Sequence, residues 1–173
     1  MLPEMLECRE FVNSDEFAKS LSPFDPSAAS VKASRLMLQK IRYLLERGVD
    51  FGIETTLATR SLLGIIQQAR DSGYSVTLLY FWLNSPELAM SRVKDRVAAG
   101  GHNIPENVIR RRYLMGLKYF FGTYSQCCDR WILADSSKMP FVVVAEKTGQ
   151  LMYIKDNEKY RLIWHQVHPD DEY

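Results

Sequence analysis

The run from Val76 to Leu83 (VTLLYFWL) is almost unbroken in apolar residues. A strand with one wet face alternates apolar and polar positions. A strand written like this one is covered on both faces, which calls for a sheet with helices on either side. The neighbouring segments fit that demand. Glu10 to Asn13, Phe51 to Thr55 and Trp131 to Ala134 read as further strands, with helix signals between them. A short helix from about Asp15 to Leu21 follows the first strand. Pro23 and Pro26 then break the chain, and Asp25 with Pro26 makes a cap and first-turn start. The long helix that follows buries Val31, Leu36, Leu38, Ile41, Leu44 and Leu45 and is ended by Gly48. Thr59 to Asp71 carries Leu62, Leu63, Ile65, Ile66 and Ala69 on one side. Ser85 with Pro86 starts another helix, and Pro105 starts one reaching about Tyr124. Phe141 to Glu146 and Leu151 to Ile154, joined through Thr148 and Gly149, read as a terminal hairpin, and the acidic tail beyond them as frayed.

Strands joined by helices of this length pair in parallel through crossovers. The expected fold is therefore α/β: a mostly parallel sheet flanked by helices, with a C-terminal β-hairpin, in one domain of 173 residues. Ligands of such sheets bind beyond the carboxyl ends of the strands. That rule points to Asn13, Ser14 and Asp15, to Glu54, Thr55 and Thr56, and to Asn84.

Composition narrows the function from the other side. Lys plus Arg is 22 against 21 for Asp plus Glu, a net charge of +1, so no broad nucleic-acid surface is expected. The three cysteines, Cys8, Cys127 and Cys128, lack C-x-x-C spacing and fit neither a disulfide scaffold nor a zinc site, which points to a reducing cytoplasm. With three histidines, two of them (His165 and His168) in the tail, no metal cluster is expected. The apolar run around Val76 to Leu83 is far too short for a bilayer, and the first seven residues lack the basic region and apolar core of a signal peptide.

What remains for the basic residues is local work. Arg92 and Arg96 lie one turn apart on a helix. Gly100, Gly101 and His102 follow, and then come Arg110, Arg111 and Arg112. A glycine pair and arginines between two helices make a mobile cationic flap of the kind that closes over a transferring phosphate, because guanidinium binds phosphate oxygens bidentately. A solvated stripe is the competing reading for Arg92 and Arg96, and at most two of three consecutive arginines on a helix can face one site. Asp15, where a strand turns into a helix, can either cap that helix with Ser14 or accept a proton from an attacking hydroxyl. Glu54 ends an apolar strand and needs a partner or a ligand. Arg60 is one candidate partner, and Thr55 and Thr56 complete a polar cluster suited to a hydroxylated, phosphorylated molecule. No glycine is followed directly by lysine, so the sequence holds no G-x-x-x-x-G-K-[ST] loop.

Taken in order, the stretches FVNSDEF (from Phe11), LSPFDP (from Leu21), IETTL (from Ile53), GGHNIP (from Gly100) and IRRRY (from Ile109) resemble the zeta toxin family of P-loop kinases. The resemblance runs from about Glu7 to Ile154. It implies a P-loop NTPase-like fold, ATP and magnesium as cofactors, an antitoxin as partner protein, and a sugar-nucleotide acceptor such as UDP-N-acetylglucosamine. It assigns Asp15 as catalytic base, Glu54 and Thr55 near the substrate (with Thr56 and Arg60 beside them), and the region of Arg96, His102, Arg111 and Arg112 as the phosphate-binding lid. In the family a strand, the G-x-x-x-x-G-K-[ST] loop and a helix precede the segment that resembles Leu2 to Glu4. The chain is therefore expected to be a kinase domain without those elements, with a split core and negligible turnover. The alternatives are a non-catalytic remnant that binds a nucleotide sugar or a partner protein, and another small-molecule kinase on the same scaffold.

Overall fold

A computed structural model describes residues 8, 10–22, 30–101 and 103–170; within α1 and at the start of α2 the side chains of 14–16, 19, 30 and 31 are outside that set. The helix start at Asp25 and Pro26, and His102, fall outside the described residues. The chain divides into two compact units, Met1–Thr55 and Thr56–Tyr173.

The first unit runs β1 (Glu10–Asn13), α1 (Ser14–Leu21), α2 (Ser30–Glu46), β2 (Phe51–Glu54). β1 and β2 form a two-stranded parallel sheet in which Glu10 faces Phe51 and Asn13 faces Glu54. Val12, Ile41 and Leu44 are almost wholly buried. The end of α2 is where the sequence places it: Gly48 takes φ 64°, the left-handed geometry that stops a helix without a Cβ penalty.

The second unit runs α3 (Leu63–Asp71), β3 (Thr77–Trp82), α4 (Pro86–Ala98), α5 (Glu106–Tyr119), a π-helical turn (Phe120–Tyr124), a last helical turn (Ser125–Cys127), β4 (Arg130–Asp135), β5 (Val142–Thr148), β6 (Leu151–Ile154) and α6 (Asn157–His165). Its sheet is ordered β3-β4-β5-β6, parallel between β3 and β4 and antiparallel thereafter. The expected hairpin is present and does more than close the chain, since β5 also pairs along the whole of β4. Phe120 sits at the centre of this core. Its ring stacks on Tyr80 at 4.8 Å and meets Trp131 edge-on at 5.4 Å, offset geometries that aromatic quadrupoles favour.

Three expectations need correcting. Among the described residues β3 pairs with β4 alone, and Leu78, Leu79, Tyr80 and Phe81 are half-buried rather than covered on both faces, with Trp82 the one fully buried position of the strand. α3 begins at Leu63, not Thr59, because residues 56–62 form an irregular loop in which the buried Leu57 takes φ 57°. A left-handed leucine costs about 1–2 kcal/mol and persists only where the surroundings hold it. The tail is helical over Asn157–His165: Asp156 caps α6 by accepting from the Lys159 amide at 2.9 Å, and Tyr160 and Ile163 are buried.

Candidate functional site

In the first unit, parallel pairing in register brings the last residues of β1 and β2 side by side at the carboxyl edge. Asn13 Nδ2 donates to Glu54 Oε2 at 2.8 Å, and the Glu54 carboxylate is exposed. The demand of a carboxylate at the lip of a sheet is thus met by the strand beside it. Asn13 was legible as a strand end but not as the partner of Glu54; the signal would have been the in-register pairing itself. Asp15 lies in the first turn of α1, two residues beyond β1, with its side chain outside the described set. Thr55 ends this unit, whereas Thr56, Arg60, Arg96, Arg111 and Arg112 belong to the second. Each group is placed within its own unit.

The loop after Thr55 is gripped from one side. Gly116 on α5 is buried, and a Cβ built there would fall 2.6 Å from the Thr56 carbonyl oxygen. Tyr124 donates its hydroxyl to the Thr59 carbonyl at 2.6 Å, and Thr59 shares a 2.8 Å hydrogen bond with Ser61. The Arg60 guanidinium lies over the Tyr119 ring, 5.4 Å from its centroid. Burial raises the pKa of the Tyr124 hydroxyl, which keeps it a proton donor at neutral pH. Tyr124 is core, while Tyr119 backs an exposed cation.

α4 and α5 run antiparallel, tied by Glu87 to Arg110 at 2.7 Å and by Lys94 to Glu106 at 3.2 Å. Ser85 caps α4 as its sequence promised, accepting from the Leu88 amide at 3.1 Å. The arginines divide by what they touch. Arg110 is taken by Glu87, and Arg92 donates to the Ser136 carbonyl. Arg96, Arg111 and Arg112 have no ion pair among the described residues. Gly101 folds back so that its amide meets the Arg96 carbonyl at 2.8 Å, and a Cβ at 101 would strike the Arg96 side chain at 2.8 Å. The second glycine of the flap is therefore required for close approach to the Arg96 stem. Below the arginines, Tyr113 donates its hydroxyl toward the Leu83 carbonyl (2.8 Å) and Gln166 (3.0 Å), and Trp82 donates to the same glutamine oxygen at 3.2 Å.

A second ionic cluster lies at the carboxyl ends of β3 and β4, where Trp82 faces Asp135. Asp135 accepts from Lys159 at 2.8 Å and from the Ser137 amide at 2.8 Å, and Ser137 accepts from the Asn84 amide at 2.8 Å. Burial alone would raise the Asp135 pKa; the bonds from Lys159 and Ser137 outweigh it and hold the carboxyl below its ordinary value. The strand-end rule that selected Glu54 would also have selected Asp135. Its partner, Lys159, was out of reach because α6 had been read as tail.

Among the described residues no helix is long and apolar enough to cross a membrane, and no group of three or more His, Cys, Asp or Glu side chains could hold a metal ion. The zeta toxin family profile matches residues 16–130. A protein of Haemophilus influenzae, itself uncharacterised, is 30% identical over 102 residues, spanning 59% of this chain and 73% of its own length. No solved structure matches. Because the matched segment takes in α1 from Glu16 onward, the β2 strand end, the gripped loop and both arginine helices, up to the first residue of β4, this chain belongs to the zeta toxin family, whose kinase-like fold is of the P-loop NTPase type.

Proposed function

We propose that this chain carries the acceptor side of a zeta-toxin kinase and binds a UDP-activated amino sugar such as UDP-N-acetylglucosamine. The observation that carries the reading is the Asn13–Glu54 pair at the carboxyl edge of a parallel strand pair, with Glu54 inside the segment that matches the zeta toxin family. A carboxylate already oriented by one amide donor can accept hydroxyl protons from a sugar with little rearrangement. Glu54, Thr55 and Thr56 take the acceptor, and Asp15, in the turn after β1, is the base for the hydroxyl that would attack the γ-phosphate.

The donor side is different. Arg96, Arg111 and Arg112, with His102 in the flap between them, suit the phosphates of ATP. The sequence holds no G-x-x-x-x-G-K-[ST] cradle with its magnesium-binding hydroxyl, so the residues present do not fit ATP with magnesium.

Calorimetric titration tests this directly. UDP-N-acetylglucosamine is expected to bind, and Glu54→Gln to weaken it about 10-fold, the loss of one charge-assisted hydrogen bond of about 1.4 kcal/mol. Absence of binding by the unaltered protein, or full affinity in Glu54→Gln, refutes the assignment. The second reading, a remnant that docks an antitoxin-like partner, is favoured instead if the protein is inert to the sugar nucleotide.

A further inference from the structure

β6 (Leu151–Ile154) ends the sheet of the second unit and, among the described residues, pairs with β5 alone. In an antiparallel ladder every second residue turns its N–H and C=O away from its partner, so one side of β6 offers an open row of donors and acceptors. The side chains leave the same strand uncovered. Leu151, Met152 and Tyr153 are 63%, 41% and 56% exposed, three consecutive positions among the nine exposed large hydrophobic residues of the described set. Such residues scattered singly are ordinary, whereas three in a row on an end strand mark a contact surface.

Proteins blunt an open edge with a charge, a proline or a bulge. β6 carries none of these: it reads LMYI, and its pairing with β5 runs from Thr148–Leu151 to Ala145–Ile154 without a register shift. Lys155, the first charge after the strand, is tied to Glu146 at 2.9 Å, and Glu146 also meets Arg130 at 3.6 Å. Because Glu146 lies on β5, the ammonium is held on the β5 side of the strand rather than over the open edge.

The composition of this edge selects its occupant. Turned antiparallel about Met152, a second β6 sets Leu151 opposite Tyr153 twice and Met152 opposite itself. Alternate residues share a face, so this pairing keeps like faces of the two sheets together under a two-fold axis normal to them. The three central pairs are all apolar, and thioether and aromatic ring are among the groups that gain from meeting across strands. Lys155 comes opposite Gly149 and meets no like charge. Lys147, which faces Met152 on β5, stands three strand spacings from its copy, about 14 Å, beyond the screening length of about 8 Å.

We propose that β6 is a self-association edge, through which two copies of this chain pair antiparallel across Leu151, Met152 and Tyr153 and join their four-stranded sheets into one. The contact is isologous, so each copy uses its β6 edge once and the assembly closes at a dimer. It lies wholly in the second unit and is independent of the acceptor assignment. Short strands place it at the small end of specific interfaces, so a dissociation constant in the micromolar range is expected.

Sedimentation velocity of the full chain from about 5 to about 500 µM is expected to show monomer passing to dimer, with no larger species. Over the same range the 150–154 amides gain protection from hydrogen exchange. Leu151→Glu and Tyr153→Lys are each expected to weaken the dimer at least about 10-fold. Their tryptophan-detected melts stay within about 2 °C of the unaltered protein, because both side chains are exposed. Mixed in equal amounts the two variants recover a dimer, since the introduced carboxylate of one copy faces the introduced ammonium of the other. Met152→Lys opposes itself across the two-fold axis and is also monomeric, which keeps the test decisive if either of the others fails to fold. A monomer at every concentration would leave the edge to a strand of another protein and overturn the proposal. So would open-ended species, association without protection of 150–154, undiminished association in the variants, or two monomeric variants that do not pair when mixed.

Discussion

Two glycines six residues apart on one helical element should respond oppositely to alanine. In a helix interior Gly→Ala gains about 0.5–1 kcal/mol, because the glycine chain gives up more conformational freedom on folding. At Gly122 a Cβ meets nothing within 4 Å, so that gain is realised. At Gly116 it would meet the Thr56 carbonyl at 2.6 Å and the Tyr80 hydroxyl at 3.3 Å. The first distance is too short for real atoms. Since its partner is backbone rather than a flexible side-chain end, either the loop or the helix has to move. Moves of this kind cost about 1–3 kcal/mol. The clash outweighs the propensity gain, leaving Gly116→Ala destabilised by about 1–2 kcal/mol and Gly122→Ala stabilised by about 0.5–1 kcal/mol. For a chain of this size each kcal/mol is about 2–4 °C, so the two variants should melt about 3–12 °C apart. Trp82, Trp131 and Trp164 are all the tryptophans and all lie in the second unit, so tryptophan emission reads the unfolding of the unit that holds both glycines. If Gly116→Ala melts with Gly122→Ala, the Thr56 carbonyl does not rest against this helix.

The Asp135–Lys159 pair makes a pH prediction with a definite sign. Its carboxyl pKa is lowered and its ammonium pKa is raised in the folded state. The stabilisation is therefore complete between the ordinary values, about 4 and about 10.4, and is lost as pH falls through the lowered carboxyl value or rises through the raised lysine value. Asp135→Asn keeps an oxygen for the Ser137 amide and loses the charge. It is expected to cost about 1–2 kcal/mol at pH 7, discounted for the partly exposed lysine, with the difference from wild type shrinking in acid urea titrations. A difference that stays constant down to pH 2 would show that the charge is not what holds the site. Cys128 is buried, and burial pushes its thiol up to about 12. It should resist iodoacetamide at pH 8 until the protein unfolds; rapid alkylation of native protein, mapped by mass spectrometry, would contradict that.

What could be read in advance was what short-range chemistry decides. Ser85 with Pro86, Gly48 and Gly149 each act through neighbours a few residues away, and each does in the fold what its position implied. The same locality explains the reading of Glu54 as a strand-end carboxylate in need of a partner. Which group would answer that need depended on β1 lying in register beside β2 across forty residues of chain, a pairing written nowhere near either residue. β3 shows the limit most clearly. Its apolar run specifies a strand that avoids water, but a strand's own composition does not say how many neighbours its sheet supplies, and β3 has β4 on one side of its sheet. The tail failed for a different reason. Asp156, Tyr160 and Ile163 form a cap and an apolar stripe at helical spacing, and the surrounding charge hid them. The π turn lay furthest from view, because the FFGTY stretch is compatible with a plain helix. Within that turn Tyr124 meets the Thr59 carbonyl, a partner sixty-five residues back in the chain. The contacts of that turn run to a loop with no periodicity to read, and that is why the arginines of α4 and α5 were visible in the sequence while the ring beneath Arg60 was not.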